Sequence, residues 1–220
     1  MIGSYRCSCK GGYVINPDDT SKCKSITVCN ALLDIIFVLD ASGSIGAQNY
    51  KVQQNFVAKL VHHFKYGSNG AQFGALLFAT KVEKLFDLKT YVASRSECTA
   101  AINSAPYIEG GTNTHLALQY ISDKELHSSA WGGRPNAKKV VVLITDGDAS
   151  NKPSAKAAAD ALKRQGVTIF ALGIGEQVSL ENLLDYVSNP KYALGSVDFE
   201  LLDYVEESLA QTICSRACKC

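Results

Sequence analysis

The chain carries almost no net charge: 22 basic against 21 acidic residues leave +1. Bulk electrostatics therefore favour neither nucleic acid nor an anionic membrane surface, and binding has to be argued from a local site. A long hydrophobic run is missing too. The apolar stretch Ile35 to Leu39 is bounded by Asp34 and Asp40, far short of the ~20 residues that a membrane-spanning helix needs. The opening "MIGSYRCSC" has no apolar core of the kind that a secretory leader carries, so the chain is expected to be a mature fragment or a piece of a longer precursor. No Asn-x-Ser/Thr sequon, internal repeat or low-complexity tract occurs.

Several catalytic signatures are absent as well. There is no Walker loop, "GIGEQV" lacks the third glycine of a dinucleotide fingerprint, and "SGSIG" has Ser where a nucleophile elbow needs its first Gly. Asp40 could act as the nucleophile of a Mg-dependent phosphotransferase or hydrolase. Enzymes of the haloacid-dehalogenase type want a second acid two positions on, and Ser42 stands there. His62 and His63 are adjacent on an expected helix, so their side chains diverge by about 100°. His115 faces solvent or lines the binding edge. With no positioned general base, the chain is not expected to be an enzyme.

Cysteine, by contrast, is plentiful and crowds toward the two ends, at 7, 9, 23, 29 and 214, 218, 220, with only Cys98 between. The close pairs are spaced C-x-C and no C-x-x-C occurs, which suits disulfides in an oxidising compartment better than a thiolate zinc site. Cys98 lies in an expected helix, as a buried free thiol or an intermolecular link. Residues 1–28 are rich in Gly, Ser, Asp and Cys without hydrophobic period, so they need covalent support.

From Ala31 onward, apolar strands alternate with amphipathic helices, the signature of a mostly parallel, doubly wound α/β sheet. The expected strands are Leu33 to Leu39, Gln72 to Ala79, Val82 to Phe86, Lys139 to Thr145, Thr168 to Gly173 and Ala193 to Ser196. Val52, Phe56, Val57, Leu60, Val61 and Phe64 repeat at helical spacing, as do Leu202, Val205, Leu209 and Ile213. The connection at Thr80 and Lys81 is too short for a crossover and implies an antiparallel edge hairpin.

In such a sheet the strand-to-helix loops gather on one edge. "DASGS" brings Asp40, Ser42 and Ser44 there, "VVVLITDGDAS" brings Asp146, and "EGGTNTHLAL" brings Thr112 behind two glycines. Two carboxylates and three hydroxyls make an all-oxygen set suited to Mg²⁺ or Mn²⁺. Taken singly, "DASGS" also reads as a helix N-cap and "TDGD" as a turn.

Together, Asp40-Ala-Ser42-Gly-Ser44, Thr112 in "GGTNT" and Asp146 in "LITDGD" resemble the metal-ion-dependent adhesion site of von Willebrand factor type A domains. The resemblance covers about residues 29–214. It implies five parallel strands with one antiparallel edge strand, and a cation completed by an Asp or Glu of a protein partner. Residues 1–28, through "CSCKGGYVINPDDTSKC", are similar to the second half of an EGF-like module, and 215–220 form a Cys-rich tail. The pairing is similar to matrilins and other matrix adhesion proteins. The resemblance implies disulfides Cys9–Cys23 and Cys29–Cys214, secretion to the extracellular matrix, collagen or another matrix protein as partner, and oligomers through flanking modules. Tyr107, Glu109, Asn113, His115, Asp148 and Asn151, around the metal edge, are expected to shape partner selectivity. A structural spacer with an idle metal site is the alternative.

Overall fold

The computed structural model describes residues 13–16, 19–25, 28–175, 177–197, 199 and 202–217. Cys7, Cys9, Cys218 and Cys220 lie outside them, and so does the expected Cys9–Cys23 bridge. Near the start, β1 (Tyr13–Asn16) and β2 (Asp19–Ser25) form a two-stranded antiparallel sheet.

Six further strands form one sheet: β3 (Leu33–Asp40), β4 (Ala71–Phe78), β5 (Val82–Phe86), β6 (Lys138–Thr145), β7 (Thr168–Ile174) and β8 (Ala193–Val197), in the order β5-β4-β3-β6-β7-β8. Every neighbouring pair is parallel except β4 with β5. The helices are α1 (Gly46–Leu60), α2 (Arg95–Asn103), α3 (Thr114–Asp123), α4 (Lys152–Arg164), α5 (Leu180–Tyr186) and α6 (Leu202–Ala217). They fall into two groups: α1 packs with α2 and α6, while α4 packs with α3 and α5.

The sequence explains which strands are central. All of β3 and β4 is buried, as suits the apolar runs Ile35 to Leu39 and Phe73 to Phe78 in strands covered on both faces. The chain runs outward from β3 to β4 and β5, then returns to lay β6 on the other side of β3. The strand order therefore reverses between β3 and β6, and a crevice opens outside their carboxyl ends. Asp40 ends β3, and Asp146 directly follows β6.

At the opposite edge the fold is tied by polar and covalent links. Asp34 is fully buried. Burial pushes its carboxyl up, and hydrogen bonds from Arg134 offset part of that push. The Arg134 backbone N–H donates to Asp34 Oδ2 at 2.6 Å and Nε to Oδ1 at 2.8 Å. Its guanidinium also donates to the carbonyls of Leu33, Ser68 and Gly70, so one side chain binds the starts of two strands. Nearby, a disulfide joins Cys29 to Cys214 on α6.

The helical spacing expected through Phe64 is cut short. Beyond α1 a 3₁₀ turn covers Val61–His63, and Phe64 is extended, with φ −115° and ψ 143°. The reason lies in tertiary pairing, because Phe64 forms a parallel bridge with Cys29. His63 is consequently buried, with Nε2 3.5 Å from Glu206 Oε1 on α6. Cys98 is free and buried in α2, and burial pushes its thiol up to about 11, which keeps it protonated and inert.

Candidate metal centre at the strand switch

Three segments far apart in sequence meet outside the ends of β3 and β6. Asp40 is fully buried, and both carboxylate oxygens are engaged. Oδ1 accepts the Ser42 N–H at 2.9 Å, and Oδ2 accepts the Thr145 hydroxyl at 2.6 Å. From there the side chains run as a chain. Ser42 Oγ lies 3.1 Å from Ser44 Oγ, and Ser44 Oγ donates to Asp146 Oδ1 at 2.9 Å. The serines do not cap α1, whose N-cap position is Ile45 with no side-chain cap bond. Their hydroxyls turn toward the acids instead.

Thr112 closes the cluster from the side. A Cβ placed on Gly147 would sit 3.7 Å from Thr112 Oγ1 and 3.9 Å from Ser44 Oγ. Glycine thus leaves open a cradle between the two hydroxyls that a larger side chain would fill. Among the described residues the Thr112 hydroxyl makes no hydrogen bond, while its backbone carbonyl accepts from both Ser150 N and Ser150 Oγ.

Electrostatics add to the geometry. Burial pushes the Asp40 carboxyl up to about 6 against the hydrogen bonds from Ser42 and Thr145, and the Asp146 charge pushes it further. Asp146 is also raised, chiefly by burial. Two neighbouring carboxylates, both held above their ordinary value by burial, are each favoured in the charged form by a positive charge beside them. Among the described residues no three His, Cys, Asp or Glu side chains cluster as a metal-ligand group, so the oxygen set with three hydroxyls stands apart from thiolate and imidazole sites. These donors, the unbonded Thr112 hydroxyl and the open cradle fit a divalent cation.

Several side chains that hold this arrangement carry no sequence signal. Thr145 fixes Asp40, and Gln53 Nε2 donates to the Asp40 carbonyl at 2.9 Å. Only the fold reveals them, since each acts on an atom whose position depends on packing.

The six residues expected to face a partner divide into two kinds. Tyr107 donates its hydroxyl to the carbonyls of Ser42 and Gly43, and its ring packs 5.2 Å from Tyr50. Asn113 Nδ2 donates to the Thr80 carbonyl, and Asn151 caps α4 by accepting from Ser154 N. Asp148 accepts from Ser179 N and Asn182 Nδ2 and pairs with Lys152. Burial pushes Asp148 up, but those partners outweigh it and hold the carboxyl below its ordinary value. Glu109 is exposed in a left-handed conformation, φ 53°. His115 is half-buried, with Nδ1 enclosed and unpartnered.

A doubly wound, mostly parallel sheet with a cluster of acids and hydroxyls at its strand switch defines the class of the domain as α/β. The chain belongs to the von Willebrand factor type A domain family, whose model matches residues 34–208. It is 30% identical to matrilin-1 of Bos taurus over 222 residues, spanning 96% of this chain and 39% of that protein. It is 32% identical to the collagen alpha-6(VI) chain of Mus musculus over 188 residues, 85% of this chain and 8% of that one. The chain thus spans about two-fifths of the matrilin-1 relative. Among solved structures, proximal thread matrix protein 1 from the mussel byssus, in a form with a zinc-occupied MIDAS motif, superposes with a TM-score of 0.79 at 29% identity, covering 85% of this chain and 49% of that one. These relatives make the chain a secreted protein of the extracellular matrix and adhesion class. Among the described residues no helix is long and apolar enough to cross a membrane.

Proposed function

We propose that Asp40, Ser42, Ser44, Thr112 and Asp146 hold a divalent cation, Mg²⁺ or Mn²⁺, through which the chain binds an Asp or Glu of an extracellular matrix protein such as a collagen. The carrying observation is the junction of Asp40, Ser42, Ser44 and Asp146 beside a Thr112 hydroxyl that makes no hydrogen bond among the described residues. When bound, the cation supplies a Lewis-acidic centre that attracts a carboxylate. The chain's own residues neutralise it in part and hold the loops at a fixed spacing. Proximal thread matrix protein 1, which this chain resembles, holds zinc in its own MIDAS motif, and the oxygen donors here favour the harder ions.

Residues 1–28 are proposed as part of an EGF-like module, 29–214 as the von Willebrand factor type A domain and 215–220 as a Cys-rich tail. Through such flanking modules the protein would assemble into oligomers. A nucleophilic role for Asp40 is disfavoured, because the carboxylate is fully buried and both oxygens are already bonded.

The test is adhesion to immobilised collagens and a matrix extract. Binding is expected to vanish in EDTA and return with Mg²⁺ or Mn²⁺. Binding that persists in EDTA would overturn the reading in favour of a spacer with an idle site.

A further inference from the structure

The hairpin turn between β4 and β5 reaches the candidate centre without contributing an atom to it. Thr80, exposed at the tip of that turn, touches both neighbours of Thr112. Its Oγ1 accepts the Gly111 N–H at 2.9 Å, and its carbonyl accepts Asn113 Nδ2 at 3.1 Å. The adjacent Ala79 carbonyl accepts the Asn113 N–H at 3.0 Å. Thr112 is therefore bracketed, with the residue before it and the residue after it both fastened to two consecutive residues of the turn.

The fit is close enough to dictate sequence on the facing strand of the loop. Gly110 has φ +108°, and a Cβ there would lie 2.4 Å from Thr80 Oγ1, well inside contact distance. The same Gly110 offers its carbonyl to the Gly43 N–H at 2.9 Å, between the two serines of the first loop. One exposed threonine thus holds the segment that spaces Thr112 from Ser42 and Ser44.

We propose that Thr80 is a positioning residue for the cation centre, acting through Gly111 and Asn113 to set the Thr112 hydroxyl. The proposal rests on the cation reading above. Loss of an outer-shell partner lowers metal affinity about 10- to 100-fold. Thr80 acts through backbone neighbours of a single ligand, which places the expected effect near the low end.

The test is calorimetric titration of the whole chain with MnCl₂ and with MgCl₂, beside thermal unfolding in EDTA. The variants are Thr80→Val, which keeps the shape and removes the acceptor, Thr80→Ala as a second deletion, and Thr80→Ser, which restores the oxygen. Val and Ala are expected to weaken cation affinity about tenfold, with the EDTA unfolding midpoint nearly unchanged, and Ser to recover most of the affinity. A purely structural role would move the midpoint and leave affinity alone. Wild-type affinity in both deletions, or an equal loss in Thr80→Ser, overturns the proposal while the cation reading stands. A wild-type chain that takes up neither ion overturns both.

Discussion

At the scale of single residues the molecule's main tension is Asp40. Burial disfavours its ionised form and raises its carboxyl to about 6, so above that pH a desolvated charge is held in place by two hydrogen bonds. Asparagine can be accommodated without orphaning its neighbours, because its Oδ1 can still accept the Ser42 N–H, and the single Thr145 hydroxyl proton, released from Asp40, can turn to the Gly147 carbonyl 2.9 Å away and leave Oγ1 to accept from the new amide. Asp40→Asn is therefore expected to stabilise the metal-free protein by about 1 to 3 kcal/mol at pH 7.5 and to abolish the response to Mg²⁺. The wild-type protein should gain about 2.7 kcal/mol at a cation concentration a hundred times Kd. Chemical unfolding with EDTA or with Mg²⁺ checks both halves. A variant less stable in EDTA than wild type, or one still stabilised by Mg²⁺, would refute the account. The five oxygen-bearing residues were legible in the sequence because their spacing is local within each loop and the strand ends put the loops on one edge. Thr145, Gln53 and Thr80 were not, since each acts on a backbone or carboxylate atom brought close only by packing.

At the scale of elements, patterning revealed the strands because β3, β4, β6 and β7 are apolar runs of nearly the right length. It overran the end of α1, where the pairing of Phe64 with Cys29 overrides helical spacing, and it gave no sign of α5, whose seven residues are too few for a periodic signal. The contact between the turn that follows α3 and β6 was equally hidden. His127, 6% exposed, sets Nε2 3.3 Å from the Val140 carbonyl. Burial first, with Lys139 adding to it against the pull of that carbonyl, lowers its pKa to about 4. The imidazole is neutral in the fold, whereas an unfolded chain protonates it near 6.5. Between those values the unfolded state binds more protons, so stability is complete above about 6.5 and falls as pH drops toward 4. The loss amounts to about 3 kcal/mol. The raised carboxylates Asp34, Asp40 and Asp146 work in the opposite sense, because acid protonates them in the fold first. Comparing wild type with His127→Gln by urea unfolding at pH 7 and pH 4.5 isolates the histidine. The variant should lose less stability over that interval, and equal losses would show that His127 contributes nothing.

At the scale of the whole molecule, the two edges of the sheet have separate tasks. The edge beyond β3 and β6 gathers oxygen donors on loops, while the opposite edge joins the chain's distant parts. Cys29 is itself anchored: its N–H donates to the His63 carbonyl and its carbonyl accepts the Lys65 N–H, both at 2.8 Å. The disulfide to Cys214 therefore ties α6 to a fixed point across a sequence separation of 185 residues. Closing so long a loop removes much of the unfolded chain's freedom and contributes about 5 kcal/mol in the chain-entropy model. A Cys29→Ala/Cys214→Ala double variant should lose about that much in urea unfolding and fray first at α6. Amide hydrogen exchange would report this as faster exchange along 202–217 than in β3 and β6. The candidate cation centre lies at the other edge and shares no side chain with the bridge, so on the proposed reading Mg²⁺ affinity measured well below the unfolding midpoint should stay within about twofold of wild type. A large change in affinity with the sheet still intact would mean that the bridge and the cation edge are coupled through α6, and the division of labour between the two edges would have to be abandoned.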